Sequence, residues 1–114
     1  MSDRPVNAGH ILIVDDEELY RELLGGRLGR QGYRISEAGD GEGALRCIEE
    51  GGVELALIDI KMPGMDGIEL LERIKQLAPR TEVVVLTGHG SIDSAIAAMK
   101  LGAFDYLTKP YQLT

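Results

Sequence analysis

Side chains with chemical capacity stand where the apolar runs of this sequence stop. Asp15 and Asp16 follow the aliphatic run from Ile11 to Val14, and Asp59 ends Leu55-Ala56-Leu57-Ile58. Thr87 ends Val83 to Leu86, and Lys109 follows Tyr106-Leu107-Thr108. Each has an ordinary explanation when taken alone. With Glu17 and Glu18, the aspartate pair would complement a helix N-terminus. Asp59 would suit a turn through Pro63 and Gly64, and Lys109 would be a solvated rim charge. Three carboxylates converging on one crevice are harder to dismiss, because like charges at close range repel until a cation relieves them. An all-oxygen set with no His or Cys at ligand spacing suits Mg2+, which takes one or two carboxylates, waters and a phosphate oxygen. Thr87, followed by Gly88, adds a hydroxyl on a hinge. Lys109 adds a compact charge able to reach a carboxylate or a phosphoryl oxygen.

Whether these groups meet depends on the elements that carry them. Residues 10–15, 54–59 and 82–87 are near-continuous apolar runs, as strands buried on both faces of a parallel sheet are. Residues 33–38 alternate like a more exposed strand, and 104–108 form the last one. Helical spacing runs between them: Leu19, Leu23, Leu24 and Leu28 within 17–31, then Ala44, Leu45 and Ile48 after a cap at Asp40. Ile68, Leu71 and Ile74 mark 66–77, and Ile92, Ala95, Ile96 and Met99 mark the helix capped by Ser91. Gly51-Gly52, Pro79 and Gly102 punctuate the ends. Strand and helix thus alternate with short connections, an α/β pattern that specifies a parallel sheet with helices on both faces. Five strands suit the flavodoxin-like doubly wound order 2-1-3-4-5, whose ligands sit beyond the carboxyl ends of strands at the switch point. That switch lies between the first and third strands, so Asp15-Asp16 and Asp59 become neighbours.

Composition narrows the function classes. A chain of 114 residues is one domain with room for a core. A net charge of −7 argues against a nucleic-acid surface, and the lack of Trp, with one Phe and four Tyr, argues against base stacking. The lone Cys47 excludes an internal disulfide and suits a reducing cytoplasm. No apolar run approaches the ~20 residues of a membrane span. Met1 to Gly9 lack a signal-peptide core and read as a flexible tail ahead of a domain over 10–114.

The blocks "ILIVDDE", "LIDIKMPGMDG", "VVVLTGHG" and "GAFDYLTKP", in this order and spacing, resemble the response-regulator receiver domains of two-component signalling over nearly the whole chain. The resemblance implies a bacterial phosphoacceptor switch and not a turnover enzyme. Asp59 would accept a phosphoryl group from a phosphohistidine on a sensor histidine kinase. Asp16, Asp59 and the backbone carbonyl of Lys61 would coordinate Mg2+, with Asp15 helping through water. Thr87 and Lys109 would bind the phosphoryl oxygens, and Tyr106 falls where the family keeps its switch aromatic. The surface of the 91–101 helix and the last strand would then control an output domain beyond Thr114, and a homodimer is a further partner left open. The block from Gly88 to Pro110 is most similar to receivers attached to ATPase-type transcription activators.

Other readings weigh less. "GDGEGA" over 39–44 fits a dinucleotide fingerprint, with Asp59 where the ribose-binding acid would fall. Yet Asp40 and Glu42 would set two negative charges in the pyrophosphate cradle, and a turn and helix cap is the better account. An aspartyl phosphatase would want an acid two residues after its nucleophile, where Lys61 stands, and would want a cap segment. A receiver-like dimerisation module without phosphorylation would not need Asp15, Asp16, Asp59, Thr87 and Lys109 together. His10 reads as a surface residue and Cys47 as helix packing, while His89 and Lys61 stand where the family varies side chains that tune dephosphorylation. Gly25, Gly26 and Gly29 in the first helix have no explanation at this stage; each costs ~1 kcal/mol against Ala in a helix interior. A final helix should begin near Tyr111, so the domain reads as truncated there, leaving apolar residues of the last three strands without cover on one face.

Overall fold

The computed structural model describes residues 9–62, 64–88 and 92–108. Elements alternate as the apolar patterning demands: β1 (His10–Val14), α1 (Glu18–Arg30), β2 (Arg34–Ala38), α2 (Gly41–Glu50), β3 (Leu55–Asp59), α3 (Gly67–Leu77), β4 (Glu82–Thr87), α4 (Ile92–Lys100) and β5 (Asp105–Thr108). The five strands form one sheet in the order β2-β1-β3-β4-β5, and every pairing is parallel. β1 and β3 lie side by side in register Ile11 to Leu55 and Val14 to Ile58. Their carboxyl ends, and the aspartates that follow, therefore share one edge. The registers Asp59 to Leu86 and Thr87 to Thr108 bring β4 and β5 to the same edge.

Helix starts follow from local chemistry. The Asp40 carboxylate accepts a hydrogen bond from Gly43 N at 2.7 Å, and Asp66 accepts one from Glu69 N at 2.9 Å, so each satisfies an otherwise free donor. Asp40 thus acts as a helix cap. Gly51 and Gly52 end α2 with φ of 86° and 88°, a region open to glycine at little strain.

The two faces of the sheet are covered differently. On one, Leu12, Val14, Ala56, Ile58, Val83 and Val85 pack with Ala44 and Ile48 of α2, Leu70, Leu71 and Ile74 of α3, and Ala98 of α4. Cys47 is half-buried against this core, and burial raises its thiol pKa, as suits packing. On the other, Ile11, Ile13, Leu57, Val84 and Leu86 lie beneath Tyr20, Leu24 and Leu28 of α1. A cavity of about 440 Å3 on that side is lined among others by Ile11, Leu24, Leu28, Leu57, Val84 and Leu107. The helix expected from Tyr111 lies outside the described residues, as does the tail over 1–8.

Two helices match the expected faces only in part: Leu24 and Leu28 of α1 and Ala95 of α4 turn inward, but other expected residues do not. Leu19 and Leu23 are 69% and 47% exposed, while Gly25 is buried. A Cβ at Gly25 would meet Glu37 Oε2 at 3.3 Å and Ile35 Cγ2 at 3.4 Å, and one at Gly29 would touch Ile35. Glycine spacing thus lets α1 lie close on β2, and Leu23, about 200° round the helix from Gly25, turns outward. Gly26 faces nothing within 4 Å and the structure gives no reason for it. Among the described side chains of α4, Ala95 and Ala98 are buried, whereas Ile96 and Met99 are exposed. Small side chains again make the close contact, and Ser91 is outside the described residues.

Candidate functional site

At the end of β1 the chain is tied down from several sides. Asp15 N donates to Ala38 O of β2 at 3.1 Å, and Asp15 Oδ1 accepts from Glu17 N at 2.9 Å, an Asx turn that leads into α1. Arg21 Nη1 of α1 reaches back to donate to Asp15 O at 2.6 Å. Asp15 is fully buried, while Asp16, one residue on, is exposed.

β3 delivers its aspartate just as firmly. Ile60 N donates to Leu86 O at 3.0 Å, and Gly67 N donates to Ile60 O at 2.8 Å, so the loop after Asp59 is held by β4 and by the start of α3. A Cβ at Gly67 would lie 2.5 Å from Asp59 O and 2.6 Å from Ile60 Cα. Only glycine lets α3 begin against this backbone. Sequence reasoning passed over Gly67; the signal was a glycine right after a helix cap, close behind a strand-end carboxylate. Lys61 N donates to Asp59 Oδ1 at 3.1 Å, so its main chain lies against the carboxylate while its side chain is exposed.

The convergence expected of the carboxylates is present. One ligand oxygen from each of Asp15, Asp16 and Asp59 lies within 4.8 Å of the others, with Asp15 and Asp59 buried and Asp16 open to solvent. Three carboxylates and no imidazole or thiolate make an oxygen-only donor set, and its fit is to a hard divalent cation. The exposed member leaves an approach from solvent. This cluster could hold a metal.

Thr87 is buried at the end of β4, one residue beyond the level of Asp59, and its hydroxyl donates to Leu107 O of β5 at a long 3.4 Å. Tyr106, on β5 opposite Val85, is 37% exposed. Asp15, Asp16, Asp59 and Thr87 thus share one sheet edge, and Tyr106 lies two residues before its end on β5. Lys109 and His89 lie outside the described residues. No helix among the described residues is long and apolar enough to cross a membrane.

Known proteins share this fold. Residues 11–114 match the family described as the response regulator receiver domain. The transcriptional regulatory protein GlrR of Escherichia coli is 41% identical over 110 residues, which is 96% of this chain and 24% of the relative. The nitrogen assimilation regulatory protein NtrX of Azorhizobium caulinodans is 43% identical over 106 residues, covering 91% of this chain and 23% of the relative. This chain therefore spans about a quarter of the length of these relatives. Among solved structures, the receiver domain of NtrX from Brucella abortus superposes with a TM-score of 0.85 at 38% identity, covering 90% of this chain and 88% of that one. A receiver domain protein from Clostridium thermocellum gives a TM-score of 0.87 at 36% identity, covering 92% and 85%. Strand order, carboxylate edge and sequence agree: this chain belongs to the response regulator receiver domain family.

Proposed function

We propose that the domain is a phosphoacceptor switch in which Asp59 is the phosphorylated residue. A carboxylate oxygen of Asp59 attacks phosphorus, the phosphorus–nitrogen bond of a kinase phosphohistidine breaks, and the imidazole leaves with the electron pair and takes up a proton. The product is an acyl phosphate. Asp16, Asp59 and the Lys61 carbonyl would hold Mg2+, and Asp15 would assist through water. When bound, the ion supplies positive charge where negative charge accumulates during transfer. The observation that carries the reading is the convergence of the three carboxylates within 4.8 Å at the switch point of the sheet. The Lys61 amide on Asp59 Oδ1 supports it by fixing the nucleophile on a rigid mount.

Thr87 and Lys109 bind the phosphoryl oxygens in this reading. The Thr87 hydroxyl rests on Leu107 O at 3.4 Å, a weak contact that a phosphoryl group on Asp59 would outcompete. Its release changes the environment of β5 and Tyr106, and the loop after Thr87 leads into α4. The exposed residues Ile96, Met99, Phe104 and Leu107 lie on or beside α4 and β5 and suit an output surface. The partners are a sensor histidine kinase and an output domain of a transcription regulator in the cytoplasm. NtrX of Brucella abortus, in a chain of which this one covers 24%, has been solved with ADP and with ATP, in keeping with an ATPase-type output domain.

Incubation with acetyl phosphate and Mg2+ should add one phosphoryl group by intact mass, labile at alkaline pH. Asp59→Asn should remove it, and Asp16→Ala should remove both it and the response to Mg2+. Equal labelling of Asp59→Asn would refute the assignment.

A further inference from the structure

The Arg21 side chain is only 17% exposed, an unusual setting for a charge on a surface helix. It is spent on the loop that carries the acidic pair. Nη1 donates to Asp15 O at 2.6 Å, and Nε donates to Glu37 Oε1 of β2 at 3.3 Å in an ion pair. The guanidinium also lies against Gly39, where a Cβ would sit 3.2 Å from Nη1, so a larger residue at position 39 would crowd it. Arg21 therefore clamps the ends of β1 and β2 to the first turns of α1.

The atom it grips matters. Asp15 O belongs to the peptide unit that leads into Asp16, and a peptide is planar. Fixing that carbonyl fixes the plane from which the Asp16 backbone departs, and with it the direction in which the exposed Asp16 carboxylate leaves the loop. On the other side, Asp15 N is held by Ala38 O and Asp15 Oδ1 by Glu17 N. With Arg21 in place, the residue before Asp16 is held through its amide, side chain and carbonyl.

We infer that Arg21 is a positioning residue for the cation site: it orients the Asp15–Asp16 peptide and thereby sets the affinity for Mg2+, without touching the ion. The inference rests on the Mg2+ reading given above. Arg suits the task where Lys would not, because its planar fork reaches the carbonyl and the Glu37 carboxylate together. Outer partners that orient a metal ligand typically change affinity by 10–100-fold, so Arg21→Ala should weaken Mg2+ binding by about tenfold. Arg21→Lys, able to make one contact or the other, should fall between. A Leu28→Ala variant on the same helix, away from the loop, should melt lower and bind Mg2+ as the native chain does.

The test is an NMR titration with Mg2+ of the native domain and these variants below their melting temperatures, with amide hydrogen exchange at Glu17 measured alongside. Weaker Mg2+ binding and faster Glu17 exchange in Arg21→Ala, with Leu28→Ala unchanged in both, is the expected result. Native affinity and native Glu17 exchange in both Arg21 variants would overturn the inference and leave the metal reading standing. If the native domain shows no Mg2+ response that depends on Asp16, the metal reading fails, and the affinity role of Arg21 with it. The Glu17 exchange then still decides whether Arg21 orders the loop.

Discussion

The two ends of the parallel strands treat polar groups in opposite ways. At the amino end, charges and dipoles are matched. Thr81 Oγ1, buried, donates to Val53 O at 2.8 Å, and Lys75 Nζ at the end of α3 donates to Thr81 O at 2.8 Å and Pro79 O at 3.1 Å. His10 Nε2 and Ser36 Oγ meet at 2.7 Å. At the carboxyl end, three carboxylates stand within 4.8 Å of one another and two are buried. One end stitches the fold together, and the other sets like charges side by side. Such an arrangement lowers stability unless a cation is bound, which is what a site kept for function rather than cohesion looks like.

The largest effect tests that contrast directly. Asp59→Asn should abolish acetyl-phosphate labelling, yet without Mg2+ it should melt no lower than the native domain, because one of the crowded charges has gone. Asn keeps an oxygen for the Lys61 amide. Thermal melts with and without Mg2+ check both halves. A large loss of stability in the metal-free protein would mean that the cluster is cohesive after all.

Gly67→Ala should break the contrast from the other side. Its Cβ would meet backbone at 2.5 Å, which no rotamer change relieves. Overpacking of this kind typically costs 1–3 kcal/mol, so a loss of about 2 kcal/mol is expected even though Ala favours helix over Gly by ~1 kcal/mol. Because the displaced atoms are Asp59 O and Ile60 Cα, labelling should slow as well. Denaturant unfolding beside labelling kinetics measures the two together; a fall in one alone would separate site from scaffold.

At the amino end, Thr81→Val should lower stability and leave labelling rates alone. Thr81 is 4% exposed, and the exchange of hydroxyl for methyl strands Val53 O in the interior. An unsatisfied buried acceptor costs ~1–3 kcal/mol, so about 1.5 kcal/mol is a reasonable expectation from denaturant melts. A labelling rate that falls with it would show that the ends are coupled through β3 and β4.

How much of this was legible in the sequence depended on the kind of signal. The strand ends, the order of elements and the cap at Asp40 were readable, because apolar runs and capping residues act over a few positions. The meeting of Asp15, Asp16 and Asp59 was readable once topology was inferred, since a parallel sheet aligns its carboxyl ends. The seats of α1 and α4 were readable only in part. Leu24, Leu28 and Ala95 face inward as their spacing indicates, but the same count adds Leu19, Leu23, Ile96 and Met99, which are exposed, and passes over Gly25 and Ala98, which are buried. Close approach leaves no mark on a hydrophobic pattern. Gly67 and Arg21 were hidden for a related reason: one is defined by the backbone it must not strike, the other by a carbonyl that every residue has.

The smallest expected effect concerns pH and again falls at the amino end. His10 has its pKa lowered, chiefly by burial and then by the Arg34 charge, against weaker opposing pulls from Glu50, Glu54 and a hydrogen bond with the Gly52 backbone. The folded state thus disfavours the imidazolium more than the unfolded state does, where the value is about 6.5. Stability from this group is fully present above that value. As pH falls through it toward the lower folded pKa, the unfolded chain takes up its proton first and stability declines. His10→Gln removes the titrating group, so its melting temperature should fall less than the native domain's between pH 7.5 and 5.5. An equal decline in both proteins would place the acid sensitivity elsewhere and leave the His10–Ser36 contact as a packing detail.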